Sequence, residues 1–338
     1  MRILVQASHP AHVHFFKHFI WEANKDGHDL KVISNKRPMV RELLERYDID
    51  YKVVSEPADF IVLSQLRFTL GTYQVAKEFD PDVLLSVGGT SVAHASKFIR
   101  GRSIVFYDTE HATVQNSITY PFADRIYTPD CYQGDIGTNQ IQYPGYQELA
   151  YLHPNRFTPD PTIRDLAGLG EDERFVILRL VSWEAIHDRG DSGFDNVKDV
   201  VRALEERGVR VLITSEAELP PELQDHRVGV PPDRIHDLMY YADLFIGESA
   251  TMATESAVLG TPAVFVSSSR RGYTDELEEK YRLVFNFSDD DRQHHSLDKA
   301  LSILEGYDPE VWDSRQERML NDKLDTTEMM LQEILEAK

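Results

Sequence analysis

The stretch 243–266 constrains the fold more than any other part of this chain. It reads as strand, tight turn, helix, turn, strand. Residues 243–246 form a short apolar run that stops at Gly247, Ser249 and Thr251 are each suited to cap a helix, and that helix must end before Gly260, Thr261 and Pro262. Residues 263–266 begin the next strand. A strand that feeds a helix through small residues, here Ser249, Ala250 and Thr251, leaves backbone N–H groups converging on one spot, which suits a phosphate. Glu255 follows Thr251 on the same helix face, one turn or about 5.4 Å deeper. That offset is close to the separation of a diphosphate from its ribose, and a carboxylate there can accept hydrogen bonds from two ribose hydroxyls. Turns of this kind also occur in α/β domains that bind nothing, so the other reading of the spacing is a purely structural turn.

The rest of the chain repeats the alternation. Apolar runs at 2–7, 30–34, 51–54, 83–86, 103–107 and 125–127 are separated by helical patterns at 15–24, 38–47, 60–79 and 91–99. Regularity fails between about 130 and 170, where glycines and prolines cluster, and this predicts a crossover between domains. A second series starts at 175–180 and continues through a helix at 195–207, a strand at 209–213, a helix at 233–241 and the opening stretch, with a last strand at 281–285. Residues 310–337 are amphipathic and predict C-terminal helices. The pattern predicts an α/β fold with two Rossmann-like domains, each with a parallel sheet, facing a cleft. The expected boundaries are 1–150, 151–318 and a C-terminal helix at 319–338 packing back on the first domain. Parallel sheets hold ligands at the carboxyl ends of their strands, so the turns after strands are where chemistry is expected.

Composition limits the partners. The chain has 57 Asp and Glu against 36 Lys and Arg, a net charge of −21, which disfavours nucleic acid. An acidic, Lys-poor surface also suits a protein working in high salt. Peripheral membrane contact would need a local basic patch, for which the sequence offers only Lys36 with Arg37 and Arg270 with Arg271. No apolar run reaches the roughly 18–20 residues of a membrane span, and the start of the chain has no signal-peptide pattern, so a cytoplasmic protein is expected. The single cysteine, Cys131, excludes an internal disulfide framework and a cysteine metal cluster.

Three turns offer candidate chemistry. The first holds His9, His12 and His14. Their spacing gives no shared helical face and no acidic ligand adjoins them, so no metal is expected. A histidine at a helix N-terminus can instead exchange a proton near neutral pH and activate a hydroxyl, or simply cap the helix. The second pairs Gly88, Gly89 and Thr90 with 107–111. Gly-Gly allows close backbone approach to a ligand, while Asp108 and Glu110 can also serve as helix caps. The third runs from Arg179 to Gly190. Arg179 at a strand end can neutralise a diphosphate or form a surface ion pair, with His187 and Arg189 as secondary candidates.

These residues carry a resemblance. Ser249, Ala250, Thr251, Glu255 and the close Leu259-Gly260-Thr261-Pro262 resemble the nucleotide-binding turn of GT-B glycosyltransferases and of non-hydrolysing UDP-N-acetylglucosamine 2-epimerases, although Ala250 and Thr251 stand where those often have Gly-Gly. Ala11-His12 is similar to the Gly-His of the transferase that makes lipid II, which implies His12 as base. Glu110 falls on the epimerase catalytic glutamate, but Gly89 replaces the epimerase aspartate, and no counterpart of its second glutamate stands near Tyr120 and Pro121. Over its full length the chain resembles an uncharacterised archaeal and bacterial family, domain of unknown function 354, on His9-Pro10, His12-Val13, Phe15-Phe16 and the block 240–262. The resemblance implies a metal-independent glycosyltransferase that uses a nucleotide sugar, UDP-linked by expectation, as donor substrate and needs no cofactor. Its acceptor, a glycan, lipid-linked sugar or small molecule, is unnamed. The alternatives are a UDP-N-acetylglucosamine 2-epimerase-like enzyme and a non-catalytic GT-B-like binding protein.

Overall fold

The computed structural model describes residues 1–56, 60–181, 194, 196–215 and 218–336. The chain divides into two units, Met1–Arg156 with Lys323–Lys338, and Phe157–Asp322. The crossover thus falls a few residues beyond the expected 150, and the return to the first unit a few beyond 318.

The first unit is wound around β1 (Arg2–Gln6). The chain runs through α1 (Pro10–Lys25), β2 (Asp29–Asn35), α2 (Pro38–Arg46), β3 (Tyr51–Ser55), α3 (Ile61–Phe79), β4 (Val83–Val87), α4 (Thr90–Ser96), β5 (Arg102–Phe106), α5 (Thr113–Thr119), β6 (Arg125–Pro129), β7 (Gln140–Tyr143) and α6 (Leu149–Leu152). Its seven strands, all parallel, stand in the order β3-β2-β1-β4-β5-β6-β7. Ile3, Leu4, Val5, Leu84 and Leu85 are fully buried, as expected of strands covered on both faces. β7 was not anticipated. Its four residues, Gln-Ile-Gln-Tyr, lack a continuous apolar run because it is an edge strand with only β6 as neighbour. α1 also begins five residues earlier than the apolar pattern suggests. Pro10 occupies the first helical turn, where its missing N–H costs nothing, and His9 caps it.

The second unit contains α7 (Ile163–Leu166), β8 (Phe175–Leu180), α8 (Val197–Glu205), β9 (Arg210–Ser215), α9 (Ile235–Tyr240), β10 (Leu244–Gly247), α10 (Ala250–Val258), β11 (Ala263–Val266), α11 (Gly272–Glu276), β12 (Val284–Phe287), α12 (Arg292–Glu305) and α13 (Pro309–Asp322). Its five parallel strands are ordered β12-β11-β10-β8-β9. The chain then returns to the first unit through α14 (Thr326–Leu331), capped by Asp325, whose carboxylate accepts the Glu328 N–H at 3.0 Å. Arg156 fastens this segment. Its guanidinium meets Glu22 of α1, Asp325 at 2.7 Å and Glu328 at 3.2 Å.

α1 carries a titratable weak point beside that junction. Nε2 of His18 is buried with no hydrogen-bond partner among the described residues, and the ring stands edge-on to Trp21. Burial, then the Lys17 and Arg156 cations, outweigh Asp325 and push His18 down to about 4. The unfolded chain binds this proton more readily, so the contribution is complete above the ordinary value of 6.5 and is lost as pH falls toward about 4. Urea unfolding from about pH 7 down to about pH 4.5 is expected to show His18→Gln escaping roughly 2–3 kcal/mol of the wild type's acid destabilisation. Identical pH slopes for the two proteins would show that His18 does not carry it.

Candidate functional site

In both sheets the strand order reverses beside the first strand of the unit. The reversal lies between β1 and β4 in one and between β8 and β10 in the other. At such a point the two connections leave in opposite directions and open a crevice at the carboxyl edge, where α/β sheets bind ligands.

In the second unit the crevice is flanked by Arg179 and the turn after β10. β8 and β10 pair with Arg179 opposite Gly247, and the Glu248 N–H donates to the Arg179 carbonyl at 3.0 Å. A Cβ on Gly247 would stand 2.6 Å from the Arg179 Cβ, so glycine is what lets the two strand ends lie together. Ser249 caps α10, its Oγ accepting the Met252 N–H at 3.3 Å. The N–H groups of Ala250 and Thr251 take no partner among the described residues, and both residues are partly exposed. Two free amides, a helix N-terminus and a guanidinium at one strand edge form an arrangement that can hold an anion. Glu248 is directed elsewhere, its carboxylate accepting the Val181 and Phe194 N–H groups, both at 2.8 Å. His187 and Arg189 lie outside the described residues.

Glu255 sits in the second turn of α10, where the spacing puts it, but it is only 4% exposed and its Oε1 is 3.0 Å from Nε2 of His236. His236, itself 2% exposed, reaches it from α9 and stands edge-on to Phe157. Sequence reading missed His236, because nothing in a helix of ordinary composition marks a residue whose partner is on another element. Arg271 was also undervalued. It follows β11 and is 8% exposed, its Nη1 bonded to Ser269 Oγ at 2.6 Å and to the Arg270 carbonyl at 3.1 Å, with no carboxylate partner among the described residues. A buried Arg held only by neutral groups keeps its charge available to an anion.

In the first unit the turns after β1, β4 and β5 share one edge, since these strands are neighbours. His9 and His12 act together as a cap. Nδ1 of His9 accepts the Ala11 N–H at 3.3 Å, and Nδ1 of His12 reaches back to the Ser8 N–H at 3.5 Å. Accepting at Nδ1 requires a neutral ring with its proton on Nε2. Burial first, then the His9 ring and the Arg37 guanidinium, hold His12 well below the usual 6.5, and the positive end of α1 acts in the same direction. His12 therefore presents an N–H donor rather than a free base nitrogen.

Gly88 and Gly89 prove to be required by the chain's own packing. Gly88 has φ +70, and its Cβ would lie 2.8 Å from Nε2 of Gln115, which donates to the Gly88 carbonyl at 3.0 Å. A Cβ on Gly89 would meet Ser86 Oγ at 2.0 Å and Val105 at 2.9 Å. Thr90 Oγ1 is bonded to Thr119 Oγ1 at 2.7 Å. Glu110 is partly buried, its Oε1 accepting the Gln133 N–H at 3.1 Å. Burial first, then Asp108, the Tyr132 phenol and Glu110, raise Tyr107, and burial first, then the Tyr132 phenol bonded to it, Tyr107 and Glu110, raise Tyr120, so both side chains stay neutral.

Two parallel sheets with reversal points at their carboxyl edges define an α/β protein of the GT-B class. The chain belongs to the family described as protein of unknown function (DUF354), whose model matches residues 1–338. An uncharacterised protein of Methanocaldococcus jannaschii is 21% identical over 335 residues, covering 91% of this chain and 95% of its own. The solved UDP-GlcNAc 2-epimerase from Neisseria meningitidis, bound to UDP-GlcNAc, is similar with a TM-score of 0.71 at 12% identity, covering 99% of this chain and 100% of the other. The spinosyn rhamnosyltransferase complexed with spinosyn aglycone is similar with a TM-score of 0.63 at 14% identity, covering 99% and 100%.

The cap geometry has a direct spectroscopic consequence. In a ¹⁵N NMR titration, His12 is expected as the Nε2–H tautomer with a midpoint below 6.5. A midpoint at or above that value, or a dominant Nδ1–H form, refutes the capping role.

Proposed function

We propose that this protein is a metal-independent glycosyltransferase acting on a nucleotide sugar, with UDP as the expected nucleotide. The observation that carries the reading is the anion-holding arrangement at the β8/β10 reversal, made by Arg179 and the free amides of Ala250 and Thr251. The diphosphate lies there and leaves with its charge compensated by the guanidinium and the helix N-terminus. Glu255, fixed by His236, turns a carboxylate oxygen to the ribose hydroxyls. The first unit handles the acceptor. Its hydroxyl oxygen attacks the anomeric carbon, the bond to the diphosphate breaks, and the hydroxyl proton passes to Glu110. His12, with Nδ1 held by Ser8, donates its Nε2–H to an oxygen of the bound sugars rather than taking a proton, a revision of the base role that the resemblance implies.

UDP-GlcNAc 2-epimerases among the similar structures favour a second reading, an epimerase. Such an enzyme eliminates and re-adds the nucleotide and needs several acid and base groups. The crowding at Gly89 weighs against it, because no side chain fits at the position where the epimerase aspartate is expected.

Two measurements test these readings. Isothermal calorimetry is expected to show UDP binding by the wild type, weakened on the order of ten-fold or more in Arg179→Ala. A wild type that binds neither UDP nor UDP-GlcNAc overturns the nucleotide-sugar reading, while unchanged affinity in the variant removes only the role of Arg179. Incubation with UDP-GlcNAc in deuterated water is expected to leave C2 unlabelled, and deuterium at C2 would establish the epimerase instead.

A further inference from the structure

The outward side of the first unit breaks the charge pattern of the whole chain. Not one of the chain's 57 Asp and Glu residues falls within 60–77, 88–107 or 111–123, ranges that take in α3 up to Lys77, α4, β5 and α5, with Glu78 the one acidic residue of the three helices. Those segments carry Arg67, Lys77, Lys97, Arg100 and Arg102. They also carry more than half of the large hydrophobic side chains left exposed among the described residues.

The three helices form one continuous layer. Gln65 and Thr69 of α3 bond Ser91 of α4 at 2.9 and 3.1 Å, and His94 of α4 reaches the Ile118 carbonyl of α5 at 2.7 Å. Leu63, Leu66 and Leu70 recur at helical spacing, with Leu66 and Leu70 each 53% exposed. The stripe continues to Tyr73, whose ring meets Phe98, itself 75% exposed. Arg67 and Arg100 flank it, exposed and with no ion-pair partner among the described residues. Lys97 is paired with Asp124 at 2.6 Å. One cation of each adjacent pair singled out in the sequence is neutralised instead. Lys36 pairs with Glu56 at 2.6 Å, and Arg270 pairs with Asp275 at 2.7 Å and Glu278 at 3.2 Å.

The geometry points to this α3–α5 face as a docking surface for an anionic lipid bilayer. An apolar stripe flanked by unpaired arginines is the composition that lies in a headgroup region, the aliphatic side chains entering the acyl boundary and the guanidiniums meeting lipid phosphates. A second copy of the chain fits less well, because a two-fold contact through this face brings Arg67 and Arg100 against cations of the same kind. Nucleic acid is disfavoured by the whole chain's net charge of −21. No helix among the described residues is long and apolar enough to cross a membrane, so the contact is a surface one.

Vesicle flotation with the full chain tests this. The wild type is expected to float with phosphatidylcholine–phosphatidylglycerol vesicles, not with phosphatidylcholine alone, and to be released as salt rises. Leu66→Glu with Leu70→Glu abolishes flotation, and Arg67→Glu with Arg100→Glu lowers the partition coefficient at least about ten-fold. All four positions are exposed, and circular dichroism checks folding. If the leucine pair misfolds, the arginine pair decides alone. The proposal is overturned by a wild type that does not float with anionic vesicles, by arginine variants that float as well as wild type, or by a dimer in sedimentation equilibrium that the leucine pair disperses.

Discussion

A parallel sheet wound outward in both directions from its own first strand leaves one place its connections do not cover, the carboxyl edge beside that strand. This chain makes the arrangement twice, and nearly every polar feature at its strand ends follows from it. The strands at the two reversals, β1, β4, β8 and β10, are buried along most of their length, and their charged side chains, Arg2 and Arg179, stand at or next to their ends. At the β1/β4 reversal the chain places two capping histidines and a crowded Gly-Gly turn. At the β8/β10 reversal it places an arginine, two free amides and a buried Glu–His pair. The topology supplies the position and the local residues decide the chemistry.

The field at a helix N-terminus is positive in both places, and the two turns use it differently. At α1 it reinforces burial in keeping His12 neutral, so the imidazoles serve as acceptors toward backbone N–H groups. At α10 a serine makes the cap, and the two remaining amides stay open. Glu248, one residue before that cap, looks adverse to an anion in sequence. Its carboxylate is instead committed to two backbone N–H groups at the end of β8 and beyond, which stabilises that connection and directs the negative charge toward donors that need it.

What could be read from the sequence tracks how local each feature is. The strands of both sheets announce themselves as apolar runs, and Ser249, α10 and Glu255 follow from spacing along one helix. Features that depend on residues far apart in the chain do not. His236 and Glu255 are 19 residues apart on different elements. The need for glycine at 89 comes from Ser86 and Val105 closing over it. β7 escaped because an edge strand needs no apolar alternation, and the true start of α1 because histidine is an uncommon cap. Lys36 and Arg270 looked basic because adjacency in sequence conceals the carboxylates that neutralise them in space.

The distribution of charge separates two surfaces on the first unit. In a layered α/β unit the carboxyl edge of the sheet and the outer side of a covering helical layer are different surfaces. The turns after β1, β4 and β5 occupy the edge, while Leu66, Leu70 and Phe98 lie on the helical layer. Asp108 and Glu110 belong to the edge and interrupt the acid-free run where it reaches the strand ends. Contact through the helices therefore leaves the edge open. Acidic side chains stand at the strand ends and at the last turn of α3, at Glu78, and are absent from 60–77, 88–107 and 111–123. A solubility requirement acting evenly over a chain of net charge −21 would not produce that division.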